Sequence, residues 1–371
     1  MKILFVYKTC FTESFGGIEQ FLHQLALPLA ANGHHVTILT LADIKESNEL
    51  TVANVRVVRC PISLSISSNS ISLKALGIFR QMAAQHDVVH FNYPWPWGDV
   101  LSLLLPHNKP YIVSYHSDIV RQKVLRFVYW PLEQVFLARA RALVATSPAY
   151  AETSANLNNH RHKTHVVPIG LADQSQTPVP ESVMTHWRAV THHKKFFLFV
   201  GALRYYKGLH IVLEALKDHD WPVVIAGTGP EEKKLKARAA QLGLKNIVWA
   251  GKITDDDKWA LLRLCHAFVF PSHLRSEAFG ISLLEAAMAG KPMISAELGT
   301  GTSYINAHNE TGLVVPAGDA GGLAQAMQKV FDDDIFAHDC GTKARARYKN
   351  LFTADAMVKS FEKIYGQAHH A

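Results

Sequence analysis

Short apolar runs, rich in valine and isoleucine and bounded by polar residues or glycine, recur along the chain with amphipathic stretches between them. In the first half they are KILFVY, HHVTILT, VRVVRC, DVVHFN, YIVSYH, ALVATS and THVVPIG; in the second, KFFLFVG, WPVVIAG, NIVWAG, AFVFPS, KPMISAE and TGLVVP. Each has the length and composition of a strand. Helical periodicity occupies intervals between them, at 17–31, 209–217, 231–242 and 281–289. Alternating strand and helix predicts parallel, doubly wound sheets, one in each half. The polar, proline-bearing stretch 173–195 reads as a linker between a domain over 1–172 and one over 196–352. Residues 353–371 continue as an amphipathic helix, with Phe361, Ile364 and Tyr365 near one face.

Composition adds little to this picture but excludes much. A length of 371 residues suits two domains. With 48% apolar and 19% charged residues the chain is neither disordered nor fibrous. Its 4 cysteines are scattered, without the spacing of a zinc site or a disulfide framework, as expected of a reducing cytoplasm. MKILFVYKTC reads as a first strand rather than a secretory signal, and no run approaches the roughly 18 apolar residues of a membrane span. A net charge of +7 favours anionic partners in general.

In doubly wound sheets, ligands gather beyond the carboxyl ends of the strands, so the residues that follow strands carry the candidate chemistry. Gly16 and Gly17 lie after the first strand and open a helix whose amides suit a phosphate, or they make a plain turn; the pattern is not GxGxxG. His116 follows YIVSY and can bond a sugar hydroxyl or act as acid or base, although most of the 21 histidines must serve packing or the surface. Gly201, Arg204, Lys207 and Gly208 precede a helix and offer two cations for a diphosphate, against the alternative of a solvated basic loop. Gly227, Thr228, Gly229 and Pro230 form a tight turn, read as structural rather than as a phosphate site because Glu231 and Glu232 occupy the positive helix start. In SEAFGISLLEAAMAGKPMIS, Glu277 and Glu285 stand on either side of a helix entrance with seven residues between them. The acidic runs TDDDKWALL and FDDDIF read as helix ends rather than metal sites, and no metal is expected.

Together these motifs resemble family 4 of the retaining glycosyltransferases: Gly16-Gly17, His116, VVPIG, GALRYYKG, GTGP, VWAGKI, PSHLRSEAFGISLLEAAMAGKPMIS and TGLVVPAGD, over nearly the whole chain. The resemblance implies an α/β GT-B fold, two facing Rossmann-like doubly wound parallel-sheet domains with a central cleft. It also implies that the C-terminal helix packs back on the first domain. A nucleotide-sugar donor, a substrate rather than a cofactor, would bind mainly the second domain and the acceptor the first. By the same resemblance His116, Glu277, Arg204 and Lys207 are the catalytic set. Arg204 and Lys207 would neutralise the diphosphate, Glu277 would face the transferred sugar and Glu285 the ribose. Gly16, Gly17, Gly201, Gly229, Lys252, Ile253, Phe279, Gly280, Ile281, Ser282 and Leu283 would complete the donor site. Transfer would retain configuration without a bound metal.

The wording SEAFG and ELGTGTSY is similar to bacterial mannosyltransferases of O-antigen assembly. That likeness implies GDP-mannose as donor and an undecaprenyl-diphosphate-linked glycan as acceptor, on the inner face of the cytoplasmic membrane. GTGT at 299–302 departs from the Gly-Gly-acid pattern frequent in the family at that place. Residues 121–144, with Arg121, Lys123, Arg126, Arg139, Arg141, Phe127, Tyr129 and Trp130, form either a basic aromatic surface for an anionic membrane or a helix packed on the first sheet. Other donors, GDP-rhamnose or a UDP-hexose, and a non-catalytic sugar-nucleotide or lipid binder remain as alternatives; no motif supports nucleic-acid binding.

Overall fold

The structure, a computed structural model, describes residues 1–14, 16–66, 69–119 and 123–370. It divides into two compact units, Met1–Ala172 with Phe352–Ala371, and Asp173–Leu351.

In the first unit the strands are β1 (Lys2–Val6), β2 (His35–Ala42), β3 (Asn48–Val52), β4 (Val55–Pro61), the short pair β5 (Leu64–Ile66) and β6 (Asn69–Ile71), then β7 (Val88–Tyr93), β8 (Tyr111–Tyr115), β9 (Ala142–Ala145) and β10 (Thr164–Val166). Eight of them form one sheet in the order β10-β9-β8-β7-β1-β2-β4-β3, parallel except for β3 at the edge. The apolar runs of β1 and β7 are buried at almost every position, as a parallel sheet covered on both faces requires. The edge strand β3 is absent from the sequence expectation because NELTV is largely exposed and has no apolar face to announce it. It joins β4 through Ala53 and Asn54, both at positive φ, the geometry of a two-residue hairpin turn.

The helix Ala354–His370 packs on the first unit. Tyr365 Oη and the buried His90 Nδ1 on β7 are 2.7 Å apart, and the Phe361 and Phe21 rings meet edge to face at 5.8 Å. The expected strand THVVPIG survives only as β10, since Pro168 has no N–H for a ladder.

The second unit has β11 (Phe197–Val200), β12 (Val223–Ala226), β13 (Ile247–Gly251), β14 (Ala267–Phe270), β15 (Met293–Glu297) and β16 (Gly312–Pro316), all parallel, in the order β13-β12-β11-β14-β15-β16. This is the strand order of doubly wound nucleotide-binding sheets, with its reversal point between β11 and β14. Part of the stretch expected as linker is a helix, Glu181–Val190, that belongs to this unit: Trp187 is buried and its Nε1 donates to Asp257 Oδ1 at 2.9 Å. Proline and a polar outer face hide that helix in the sequence; a single tryptophan anchors it.

Candidate functional site

The reversal point of the second sheet places two loops side by side. The loop after β11 carries Gly201, Arg204 and Lys207, and that after β14 carries Ser272 and Glu277. Gly208 closes the first loop at φ +72°, where a Cβ would stand 2.0 Å from the Pro271 carbonyl oxygen, so the two loops touch backbone to backbone. Lys207 thereby reaches across: its Nζ donates to Glu277 Oε2 at 2.5 Å, while Ser272 Oγ donates to the same oxygen at 3.1 Å. Both side chains are nearly buried, and the ammonium also lies 4.9 Å from the centroid of the Phe270 ring. Arg204, in contrast, is exposed and has no ion-pair partner among the described residues.

The helix of the paired glutamates runs Ile281–Met288 and starts at Gly280, whose φ of +103° turns the chain into it. Glu277 therefore sits in the loop and Glu285 in the second turn, so they need not share a face. Glu285 is 6% exposed and accepts from Lys258 Nζ at 2.8 Å, which also meets Asp255 at 2.9 Å. Burial works against the Lys258 ammonium, but the two carboxylates outweigh it and raise its pKa. Phe279 and Leu283 are buried while Ile281 and Ser282 are partly exposed, so the polar groups at this helix start are the Ser282 hydroxyl and backbone amides.

The sequence gives no hint of Lys258. It lies in the helix Asp255–Leu264, whose Thr254–Asp257 capping box engages one acid of the local run while Lys258 itself meets another, Asp255. Gly229 packs under the loop after β11, where a Cβ would meet the Leu203 carbonyl oxygen at 2.4 Å. Its place is explained by backbone packing. Gly201 bonds through its N–H to the Ala226 carbonyl oxygen at 3.0 Å. Lys252 is exposed and Ile253 partly so, in the turn after β13.

In the first unit, Gly16 and Gly17 open the helix Gly17–Ala31. The helix start is shaped by a neighbouring side chain of its own. Glu19, in the first turn and 8% exposed, folds back so that a Cβ on Gly16 would lie 2.4 Å from its Oε2; Ser14 Oγ donates to its Oε1 at 3.1 Å. The helix start is already faced by the chain's own carboxylate.

His116 follows β8 and is 6% exposed, with Nε2 2.9 Å from Asn92 Oδ1 and its ring 4.7 Å from Phe21, edge to face. Burial pushes its pKa down to about 3, so it is a neutral imidazole at physiological pH. Asp118 is tied up by Tyr115 Oη at 2.9 Å and Ser154 Oγ at 2.7 Å.

Residues 121 and 122 and the side chains at 123–128, the first third of the basic aromatic segment, lie outside the described residues. The rest of the helix Lys123–Arg139 is two-sided: Phe136 and Leu137 are buried while Trp130 and Val135 are exposed. Among the described residues no helix is long and apolar enough to cross a membrane.

Comparison with known proteins converges on one family. The sequence model described as "Glycosyl transferase 4-like domain" matches residues 16–170, and that described as "Glycosyl transferases group 1" matches residues 186–347. The chain is 48% identical over 355 residues to the D-rhamnosyltransferase WbpZ of Pseudomonas aeruginosa, covering 95% of this chain and 93% of that one. It is 41% identical over 365 residues to the O-antigen chain mannosyltransferase C of Escherichia coli, covering 98% of each. Anabaena HepE, solved in complex with UDP, superposes with a TM-score of 0.80 at 18% identity, over 99% of this chain and 100% of that one. The two doubly wound units, the paired glutamates at the reversal point and these matches establish that the chain belongs to family 4 of the glycosyltransferases, with the GT-B fold.

Proposed function

We propose that the protein transfers a D-manno-configured hexose, mannose from GDP-mannose, to a lipid-linked glycan during O-antigen or related cell-surface polysaccharide assembly. The observation that carries the reading is the buried Lys207–Glu277 pair beside the exposed, unpaired Arg204 at the reversal point of the second sheet. Two cations and one carboxylate there fit a sugar diphosphate. Arg204 would clamp the phosphates as a fork. Lys207 would keep one N–H on Glu277 and offer its others to the leaving phosphate, and the amides at 279–283 would take up further developing charge. Glu277 would accept from a sugar hydroxyl and Glu285 from the ribose hydroxyls. Such electrostatic stabilisation of the leaving group supports retaining transfer without a metal. His116, neutral, would bond a sugar hydroxyl rather than act as a cationic acid.

The manno configuration is supported by the names of the two relatives: D-rhamnose is 6-deoxy-D-mannose, so both act with the same ring stereochemistry and differ only at C6. The higher identity to the rhamnosyl enzyme makes GDP-D-rhamnose the second reading. A panel of GDP-mannose, GDP-D-rhamnose and UDP-hexoses, with membranes as acceptor source, separates them. Preference for GDP-mannose supports the first reading, preference for the 6-deoxy donor the second, and exclusive use of a UDP-sugar removes both.

A further inference from the structure

Asn92 is the penultimate residue of β7, is 2% exposed, and lies opposite Ser114 in the register with β8. Its Oδ1 stands 2.9 Å from His116 Nε2, and its Nδ2 has no hydrogen-bond partner although it is buried. A buried donor left unmet is costly, and such groups call for a reason beyond packing. Phe21 from the helix Gly17–Ala31 packs edge to face on the His116 ring at 4.7 Å, and the buried imidazole of His90 on β7 is close enough to interact with it electrostatically. With the amide oriented as here, Oδ1 toward the ring, an oxygen that only accepts faces Nε2, and a neutral His116 in that arrangement carries its proton on Nε2. Nδ1, which makes no hydrogen bond among the described residues, then carries the lone pair.

We propose that Asn92 is a positioning residue for transfer, fixing His116 in the Nε2–H tautomer so that Nδ1 presents an acceptor to a substrate hydroxyl. The inference rests on His116 being a substrate contact. It adds that this contact is an acceptor of defined tautomer, and names the residue that sets it. Without Asn92 the imidazole is free to hold its proton on either nitrogen or to rotate, and only part of the population is competent.

Kinetics of Asn92→Ala, Asn92→Asp and His116→Ala separate this role from a structural one. Aspartate keeps an acceptor on Nε2–H but adds a charge that favours the imidazolium, raising the His116 pKa by about 1–3 units. Asn92→Ala is expected to lose roughly 10²-fold in kcat with little change in donor KM. Asn92→Asp should retain most activity at pH 8 and gain an acid limb that moves up by about 1–3 pH units. A purely structural role predicts the reverse order, because a buried charge harms folding more than a small truncation. The proposal is overturned if Asn92→Ala keeps wild-type kcat while His116→Ala is impaired, or if folded Asn92→Asp is as impaired as Asn92→Ala at every pH. Wild-type kcat in His116→Ala would instead remove the substrate contact beneath the proposal. Should either Asn92 variant fail to fold, imidazole ¹⁵N shifts of the wild-type protein, assigned by their loss in His116→Gln, read the tautomer directly. Protonated Nε2 supports it, and protonated Nδ1 overturns it.

Discussion

Lys207 Nζ and Glu277 Oε2 are 2.5 Å apart, although seventy residues of sequence separate them and each belongs to a different strand-end loop. Both side chains are about nine-tenths buried, so the pair bears on the fold as well as on the proposed chemistry. Removing one partner leaves a buried charge unmet. Lys207→Ala is expected to destabilise the second unit by about 3 kcal/mol and to lower transfer about 10²–10³-fold. The double variant Lys207→Ala/Glu277→Ala should recover part of the stability but none of the activity. Urea unfolding beside initial rates checks this; additive stability losses would show that the two side chains do not interact.

Lys258 and Glu285 make the second such pair, 2.8 Å apart. If Glu285 holds the ribose, its lysine matters for binding more than for the bond that breaks. Lys258→Ala should raise donor KM, with kcat changed less than KM. A fall in kcat at unchanged KM would place this pair at the reacting centre instead.

Gly208 bridges the two loops at φ +72° with the Pro271 carbonyl against its Cα. A methyl group there has no space and prefers another backbone region. Gly208→Ala should cost more than about 1 kcal/mol and reduce turnover by shifting Lys207. Alanine at Gly243, where a Cβ would meet nothing within 4 Å but φ is +69°, tests backbone strain alone. Equal kinetic effects at both positions would rule out the loop-contact explanation.

What could be read from residue order follows from how local each feature is. Glu277, Gly280 and Glu285 lie within a single loop and helix, so their spacing is visible and the helix start near Gly280 agrees with it. Lys258 and Asn92 are invisible for the opposite reason. Each meets its partner through the tertiary fold, Lys258 from one helix to Glu285 on another, Asn92 from the end of an apolar strand to His116 beyond the next. Glu19 folding onto Gly16 is a side-chain conformation that residue order does not show. The helix Glu181–Val190 was hidden because its stability comes from Trp187 packing on a distant aspartate rather than from a strong apolar stripe.

His116 and His90 make stability depend on pH. Unfolded, each ring binds a proton near 6.5; folded, burial holds His116 neutral down to about 3 and His90 well below its usual value. Below 6.5 only the unfolded chain takes up these protons. The contribution is therefore complete above 6.5 and is lost as pH falls, by up to about 1.4 kcal/mol per pH unit for each ring. Denaturant midpoints of the first unit between pH 7.5 and 5 should fall accordingly, and the slope should lessen in His116→Leu. A flat profile would mean the rings are not buried in the neutral form.

The central claim is sugar transfer itself, and the product tests it most directly. Purified protein incubated with GDP-mannose and a lipid-linked glycan acceptor, with the product examined by NMR at the new anomeric carbon, should yield an α-mannoside, retaining the donor's configuration, and none with Glu277→Ala. A β-linked product would contradict the retaining mechanism. Failure to transfer from any GDP-sugar of manno configuration would contradict the account as a whole.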